Sequence, residues 1–515
     1  MKNLDFLMLI APQKPHPRPF DVYYPFTHQL DQKKNIIPIQ YGVMSILGKL
    51  RDEFDIGFYD LAHFHSLKKE TLKLTIEAVL KKYNPRIIGI QSYTFNFNAL
   101  KESLKHIKQY DENIKTIAGG YHVSFLDYRS IEECEGNLDI VVRGEGERVI
   151  YQLLNNLTSN KPINEIYGIT TKKFRTPDVP LLSQEELDSL PLPAFELIPE
   201  CEKKNKYVYF PISVSRGCIY KCLFCVNHHF WKRKVRIMKS DLAIDILKYL
   251  LEIFGKKKAM LEFCDSILPL KYDKFKDMVM KYTEEINIPV LFALTRANFT
   301  DDDRLELLSK LLQNVGVLSM GIENGNERIL KLMNKPTFDT SIKALIKIRS
   351  HNLKVTPSWL IGHPGENLFS VNENLEKINY LFNKKLIDTL IPFIWVPLPG
   401  TPPFENPEKY FLKIISYNWD RYDRAIYLPP YHLLEWNNPN EIALSNQQVW
   451  AYFLSVISLC NKNSKNFKLT TRKKQVPLSD FLNKVQKDYY YTLFSPGKDA
   501  DINYYADLDP YVVSN

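Results

Sequence analysis

Short apolar runs alternate with segments of helical periodicity along the first third of the chain. The runs have the length of strands, and the segments between them carry apolar residues three and four positions apart. This alternation predicts an α/β fold over residues 1–165, a doubly wound, Rossmann-like domain with helices on both faces of a sheet. The predicted strands are Leu4–Ala11, Phe54–Leu61, Ile87–Gln91, Lys115–Ala118 and Asp139–Val142, and the predicted helices are Ile39–Arg51, Glu70–Lys82, Asn98–Tyr110 and Glu147–Leu154.

A second set of alternating strands and helices follows, over residues 206–402. Six strands separated by helices predict a parallel sheet with crossover helices. A proline-containing stretch within residues 166–205 is the predicted linker between the two units, and residues 403–515 are expected to form a mainly helical region. The six predicted strands are Tyr209–Ser215, Ala259–Cys264, Val290–Leu294, Val317–Ile322, Val355–Ile361 and Leu390–Val396.

Composition agrees with a multidomain globular protein. The 515 residues exceed what one hydrophobic core can organise, and 45% are hydrophobic. No apolar run is long enough to span a membrane, and we expect a cytoplasmic protein without a signal peptide. The net charge of +9 is concentrated in Trp231–Arg236 and Lys462–Lys474. Such runs are usually solvated, so nucleic-acid binding is not expected.

Three clustered cysteines carry the strongest chemical signal. Cys218, Cys222 and Cys225 follow Gly217 with offsets of four and three residues. Thiolates at this spacing can ligate three irons of a four-iron four-sulfur (4Fe-4S) cluster, which leaves the fourth iron open to substrate. An open iron implies chemistry at the cluster, beyond electron storage.

Two other metal sites are compatible with the same cysteines. A zinc site would need a fourth ligand, which His228 or His229 could supply. A closed ferredoxin-type cluster would need a fourth thiolate. That thiolate would have to come from one of the scattered cysteines, Cys134, Cys201, Cys264 or Cys460.

The cysteine pattern, with Phe224 before the last thiol, resembles the signature of the radical S-adenosylmethionine (SAM) superfamily. The resemblance implies a partial (β/α)6 barrel that binds a 4Fe-4S cluster and SAM at the carboxyl ends of its strands. SAM needs a cation near its carboxylate and acceptors for its amine and ribose, which Arg296 and Glu323 could provide. The residues that the resemblance places at the SAM site are Phe224, Cys264, Asp265, Arg296, Glu323, Ile361 and Pro364.

Strand ends of the first unit carry the motifs GGYH at Gly119–His122 and GEGE at Gly144–Glu147. They resemble the GGxH and GEGE turns of the cobalamin-binding domain that precedes the barrel in one radical SAM class. The chain lacks the DxHxxG motif of many other cobalamin proteins, so the sequence assigns no axial ligand to cobalt. The residues that the resemblance places at cobalamin are Pro12, Gln13, Tyr41, Ser92, Tyr93, Thr94, Gly119, Gly120, Tyr121, His122, Gly144 and Glu145. The alternative is a flavodoxin-like domain that holds no corrinoid.

Together the resemblances imply a cobalamin-dependent radical SAM methyltransferase. SAM cleavage at the cluster would give a 5'-deoxyadenosyl radical, and methylcobalamin would methylate an unactivated carbon or a phosphorus of a small-molecule or peptide substrate. Flavodoxin or ferredoxin would supply electrons. Two alternatives stay open, namely radical rearrangement or ring formation with the same cofactors, and a non-catalytic corrinoid or redox sensor. A methylthiotransferase is disfavoured because no cysteine precedes Cys134.

Overall fold

The computed structural model of the protein describes residues 3–12, 36–61, 71–198, 207–256, 259–419, 422, 434–436 and 443–463. Two large sheets, each flanked by helices, organise these residues. The order of helices and strands along the chain confirms the predicted α/β fold class.

The first sheet contains six strands in the order β3 (Ile56–Asp60), β1 (Phe6–Ile10), β4 (Ile87–Gln91), β5 (Lys115–Gly119), β6 (Ile140–Val142) and β7 (Ile169–Thr170). The strands from β3 to β6 are parallel, and β1 pairs with β3 on one side and β4 on the other. This reversal of strand order is the switch point of a doubly wound sheet. The elements are β1 (Phe6–Ile10), β2 (Ile36–Pro38, which joins the second sheet), α1 (Tyr41–Gly48), β3 (Ile56–Asp60), α2 (Leu72–Tyr83), β4 (Ile87–Gln91), α3 (Phe97–Tyr110), β5 (Lys115–Gly119), α4 (Tyr121–Phe125), α5 (Asp127–Glu133), β6 (Ile140–Val142), α6 (Gly146–Thr158) and β7 (Ile169–Thr170).

Local signals set the helix limits in this domain. The Thr71 hydroxyl accepts a hydrogen bond from Leu74 N at the start of α2, and Asn84 ends that helix in a left-handed conformation with φ 42°. On α3, the buried residues Leu100, Leu104 and Ile107 share one face, which packs in the same hydrophobic core as the first sheet.

The structure describes the residues of the predicted linker as far as Ile198. They contribute β7, which pairs antiparallel with β6, and the short helix α7 (Gln184–Asp188). Ala194 N then donates to Met44 O at 3.0 Å, so the segment returns along α1. The described part of this segment therefore packs on the first domain.

The second sheet is parallel throughout, in the order β15-β14-β13-β12-β11-β8-β2. Six of its strands alternate with helices and form the partial barrel. The seventh, β2, comes from the first domain and pairs with β8, which joins the two domains through backbone hydrogen bonds. The elements are β8 (Tyr207–Ile212), β9 (Ser215–Arg216), α8 (Asn227–Phe230), β10 (Arg236–Ile237), α9 (Ser240–Phe254), β11 (Ala259–Phe263), α10 (Tyr272–Glu285), β12 (Val290–Thr295), α11 (Asp302–Leu312), β13 (Val317–Glu323), α12 (Glu327–Met333), α13 (Phe338–Ser350), β14 (Lys354–Ile361), α14 (Leu368–Asn383) and β15 (Ile391–Ile394).

The chain beyond the barrel contacts both domains. Its described elements are α15 (Pro402–Glu405), β16 (Leu412–Ile414), β17 (Leu434–Trp436) and α16 (Asn446–Asn463). Tyr452 on α16 accepts a hydrogen bond from Trp359 Nε1 at 2.9 Å, and Trp419 Nε1 donates to Glu133 of the first domain at 2.8 Å. This region thus combines helix with a small antiparallel sheet, and residues 464–515 lie outside the described part. None of the described helices has the length and hydropathy needed to cross a membrane.

Candidate active site

A cavity of about 580 Å³, here named the interdomain cavity, separates the carboxyl edges of the two sheets. One wall is formed by the ends of β4, β5 and β6 together with α1. The other is formed by residues at the ends of β8 and β11 and by residues beside the cysteines, among them Arg216, Asn227, Trp231, Cys264 and Ser266. Parallel sheets bind ligands at their carboxyl edges, so one ligand here can contact both domains.

Most residues predicted at cobalamin border this cavity, but several do not. Those that line it are Tyr41, Tyr93, Gly119, Gly120, Tyr121, Gly144 and Glu145. Pro12, Ser92, Thr94 and His122 are buried and do not line it. Gln13 lies outside the described residues. The structure therefore brings the glycine motifs to the cavity and turns some of their neighbours away.

His122 illustrates this division. Its ring is 1% exposed, 4.2 Å from the ring centroid of Phe97 and 4.7 Å from that of Trp419, and its Nδ1 lies 3.3 Å from Thr94 Oγ1. Burial, with Arg129 nearby, lowers the pKa of His122 to about 3, so the imidazole is neutral at neutral pH. In this structure, His122 packs in the core of the first domain and does not face the cavity.

The glycines open the backbone to the cavity. A Cβ added to Gly119 would meet only Val142 O, at 3.7 Å. Gly120 has φ 116°, and a Cβ there would lie 2.3 Å from Ser92 O, so only glycine fits the turn. A large planar ring can approach such a side-chain-free edge closely.

Both glutamates of the GEGE motif pair with arginines of the barrel domain. Arg216 donates to Glu145 and Glu147, each at 2.7 Å, and Arg236 donates to Glu145 at 2.6 Å. The Glu145 side chain is 1% exposed and that of Glu147 is 6% exposed. We call these four residues the interdomain ion cluster. Burial opposes ionisation of Glu147, but Arg216 and Ser45 hold the pKa of this carboxyl below its usual range.

The ion cluster sits at the base of the cysteine loop. Strands β9 and β10 pair Arg216 with Arg236 and close the loop between them. Gly217 has φ 102°, and a Cβ there would lie 1.9 Å from Lys234 O, which explains the glycine before the first cysteine. Cys222 is buried, while Cys218 and Cys225 are half-buried. The loop is thus fixed to the first domain by charge.

The described residues include no group of three His, Cys, Asp or Glu side chains that could hold a single metal ion. A zinc site with His228 or His229 would require such convergence. Three thiolates that each ligate a different iron need not converge on one point. Three cysteines on one short loop therefore fit a cluster better than a single ion.

Asp265 has a structural role in this geometry. Its buried carboxylate accepts hydrogen bonds from Val214 N at 3.3 Å and from the backbone and hydroxyl of Ser215. Burial raises the pKa of Asp265 to about 6 despite these bonds. The residue predicted to contact SAM therefore connects the end of β11 to the strand that precedes the cysteines.

Arg296, at the end of β12, lies against the cysteine loop. Its Nη1 donates to Cys222 Sγ at 3.3 Å and its Nη2 to Asn334 O at 3.2 Å. The guanidinium carbon is 3.9 Å from the ring centroid of Tyr220, and the residue is 7% exposed. Two of its nitrogens are thus engaged by the loop and its surroundings.

Glu323 ends β13 with φ 74°, a left-handed conformation that is costly for a residue with a side chain. Ser358 donates to its carboxylate at 3.0 Å, and Lys335 Nζ lies 3.5 Å away. The Lys335 side chain is only 5% exposed. Sequence reasoning missed this cation, which lies beyond the strand-end motif and reaches Glu323 only through the fold.

Glu366 joins the motifs that follow β13 and β14. Its buried carboxylate accepts from Asn324 Nδ2 at 2.7 Å, Asn374 Nδ2 at 3.0 Å and Gly362 N at 2.7 Å. Burial raises the pKa of Glu366 to about 7. Three further residues predicted at the SAM site are also buried, namely Phe224 on the cysteine loop and Ile361 and Pro364 at the end of β14.

Glu262 and Cys264 share the face of β11 opposite to the buried Leu261 and Phe263. Cys264 Sγ lies 3.4 Å from Glu262 Oε1. Cys264 is exposed, and the surface that it exposes borders the interdomain cavity. Burial raises the pKa of Glu262 to about 7, which poises this carboxyl near neutrality.

Two family models match the chain on the two domains just described. The B12 binding domain model matches residues 38–154, and the Radical SAM superfamily model matches residues 212–378. The chain belongs to the cobalamin-dependent radical SAM enzymes. The prediction of a flavodoxin-like domain without corrinoid is thereby disfavoured, as is that of a non-catalytic sensor.

Relatives of this radical SAM enzyme include methyltransferases. It is 28% identical over 390 residues to an uncharacterized methyltransferase of Pyrococcus horikoshii, with 74% of this chain and 81% of that protein covered. It is 24% identical to the cytidylyl-2-hydroxyethylphosphonate methyltransferase of Streptomyces wedmorensis, with 56% and 60% covered. The structure of the radical SAM methyltransferase TsrM from Kitasatospora setae, with cobalamin and an iron-sulfur cluster bound, superposes with TM-score 0.67 at 14% identity, over 99% and 98% of the two chains.

The cofactors of this radical SAM enzyme are the 4Fe-4S cluster, SAM and cobalamin. Its residues fit them. The glycine edge at Gly119 and Gly120 leaves room for a corrin ring, and the three loop thiols have the donor chemistry of a cluster with one open iron. The positions of individual residues in contact with SAM and cobalamin stay predictions.

Proposed function

We propose that this enzyme methylates an unactivated carbon, or a phosphorus centre, of a small-molecule or peptide substrate at the interdomain cavity. The observation that carries the proposal is the shared cavity itself. Tyr93 from the first domain and Cys264 from the barrel both line it, so the strand ends that carry predicted cobalamin residues and the end of β11, which carries one predicted SAM residue, face one space. When bound, the cofactors supply hydrogen-atom abstraction and a methyl group.

The residues of the chain position the reactants and limit solvent access. Asn227 Nδ2 donates to Ser266 Oγ at 3.0 Å, and Tyr121 lies at 3.4 Å from the Asn227 amide oxygen. These groups offer hydrogen bonds to a polar substrate between the two sheets. Trp231 and Phe230 line the same cavity and give it an apolar side. The lining therefore fits a substrate with both apolar and hydrogen-bonding parts.

The test is anaerobic reconstitution with iron, sulfide and hydroxocobalamin, followed by mass spectrometry after reduction in the presence of SAM. Formation of both 5'-deoxyadenosine and S-adenosylhomocysteine, with stoichiometric corrinoid, supports methyl transfer. Deoxyadenosine alone would favour the alternative of radical rearrangement or ring formation. One relative is named as such an enzyme, the anaerobic magnesium-protoporphyrin IX monomethyl ester cyclase. Absence of both products with candidate substrates present would count against the proposal.

Radical SAM enzymes use a reductant. We infer that an acidic protein such as flavodoxin or ferredoxin is the electron donor here and that it docks at the cysteine loop. Lys221, Lys232, Arg233 and Lys234 are exposed on this loop, beside half-buried thiols of the cluster site. Opposite charges steer such encounters and make their rate dependent on salt. Lys232→Glu with Lys234→Glu should slow reduction by the protein donor and spare reduction by dithionite. Lys274→Glu with Lys276→Glu, which changes the same charge on α10, is the control.

We also infer a reducing, cytoplasmic environment. The six described cysteines are free thiols, and a cluster with an open iron requires protection from oxidants. Of the basic run Trp231–Arg236, Arg236 is buried in the interdomain ion cluster, whereas Lys232, Arg233 and Lys234 are exposed.

A further inference from the structure

Arg296 makes an asymmetric contact with the cluster-binding cysteines. Its hydrogen bond goes to Cys222, which is 9% exposed, whereas Cys218 and Cys225 are half-buried. The guanidinium is fixed from two further directions, by Asn334 O and by the face of Tyr220. Arginine stacks on aromatic rings and keeps its charge, so this arrangement holds a permanent cation beside one thiolate.

Such a contact matters most when the cluster gains an electron. Hydrogen bonds to the sulfurs, net charge and solvent exposure set the reduction potentials of iron-sulfur clusters. Reduction adds one negative charge that the N–H donor and the guanidinium both stabilise, and the low exposure of Arg296 and Cys222 limits screening by water. The hydrogen bond therefore favours the reduced state over the oxidised state.

The same geometry commits two of the five N–H donors of Arg296 to protein atoms. Nη1 and Nη2, the pair of nitrogens at the end of the guanidinium, are both engaged with protein atoms. Only Nε is buried without a hydrogen-bond partner in the described structure. Each Nη keeps a second N–H, so three of the five donors stay open to a ligand such as a carboxylate, and experiment decides whether Arg296 also binds SAM.

We propose that Arg296 is a positioning residue that raises the reduction potential of the cluster through its hydrogen bond to Cys222. This inference rests on the cluster of the proposed function and not on methyl transfer. The one-electron step is reduction of the oxidised cluster by an external donor, with the Arg296 proton retained on nitrogen. The contact thereby makes reduction easier for a physiological donor of modest strength.

The test is a redox titration of the reconstituted enzyme, without substrate, followed by electron paramagnetic resonance. Arg296→Gln should lower the midpoint potential by about 59 mV or more, a tenfold loss in the equilibrium constant for a one-electron couple. Arg296→Lys, which keeps charge but loses the two-point fixation, should shift it less. Tyr220→Phe keeps the ring under the guanidinium and should leave the potential unchanged.

SAM binding to the oxidised variants separates the two roles of Arg296. The proposal predicts a lowered potential with SAM affinity close to that of the parent. An unchanged potential with weakened SAM affinity would overturn it and restore the carboxylate role. Iron and sulfide content is measured first, and if Arg296→Gln assembles no cluster, Arg296→Lys decides by the same criterion. If the Arg296 variants show the predicted shift but the parent enzyme transfers no methyl group, only the proposed function is refuted.

Discussion

The two edges that face the interdomain cavity are built in different ways. The first domain offers mainly backbone at Gly119, Gly120 and Gly144, while the barrel offers charged side chains, Arg216 at the cavity and Arg296 against the cysteine loop. A corrin ring needs a wide surface close to the main chain, whereas a cluster with SAM needs fixed charges at defined points. The difference shows why glycines locate one site in the sequence and cysteines with charges locate the other.

The largest effect is expected from substitutions that remove the cluster from the barrel and leave the glycines of the first domain unchanged. Substitution of Cys218, Cys222 or Cys225 by Ala should abolish cluster absorbance and reduce SAM cleavage below detection, because each thiolate is predicted to hold one iron. Corrinoid should remain bound. Cys134→Ala, a buried cysteine of the first domain outside the loop, should keep both cofactors. SAM cleavage by Cys218→Ala would contradict the cluster assignment.

The next effect breaks the connection between the two edges. Arg216→Met leaves Glu145 and Glu147 buried with one fewer cation, and removal of a buried ion-pair partner costs about 3–5 kcal/mol. Denaturant unfolding measures the loss. Arg51→Met, which removes a more exposed pair with Glu196, should cost about 1 kcal/mol or less. Equal losses in the two variants would show that the interdomain ion cluster has no special role.

The same cluster predicts a pH dependence. The pKa of Glu147 is lower in the folded protein than its ordinary value of about 4.3. Its ionised form therefore stabilises the fold fully above that value, and the contribution is lost as the pH falls through the folded pKa. The unfolding free energy of Glu147→Gln should decline less steeply than that of the parent as the pH falls from about 5 to about 3. Parallel curves would contradict the assignment.

A feature of this structure could be predicted from the sequence when its signal lies in neighbouring residues of the chain. The strands of both sheets other than β2 and β7 follow from apolar runs and spacing, and the structure confirms them. β2 and β7 were missed because three and two residues give no periodicity, and β2 pairs with a strand far along the chain. Lys335 and Arg216 acquire their partners only through tertiary contacts. Glu145 was recognised by its motif, but its pairing with the barrel was not.

A smaller effect separates the two glycines of the first edge. Gly119→Ala should fold normally, since the nearest atom to its Cβ is 3.7 Å away, yet weaken corrinoid binding about tenfold, or about 1.4 kcal/mol, by filling the space at the ring. Gly120→Ala should also destabilise the domain, by at least about 1–3 kcal/mol of backbone strain. Corrinoid titration and thermal unfolding measure the two quantities. Parent-like corrinoid affinity in Gly119→Ala would place the ring elsewhere.

The smallest effect on cofactor binding is expected at the histidine of the same edge. His122 packs between Phe97 and Trp419 and has no contact with the cavity, so it should not coordinate cobalt. His122→Gln should leave the electron paramagnetic resonance spectrum of bound cob(II)alamin unchanged, although the fold loses about 1–3 kcal/mol because a polar group is buried among rings. Protein labelled with ¹⁵N-histidine is the sharper probe. If labelling changes the hyperfine splitting and His122→Gln abolishes that change, His122 is an axial ligand of cobalt. The cofactor site of the first domain would then depend on a side chain, as that of the barrel does.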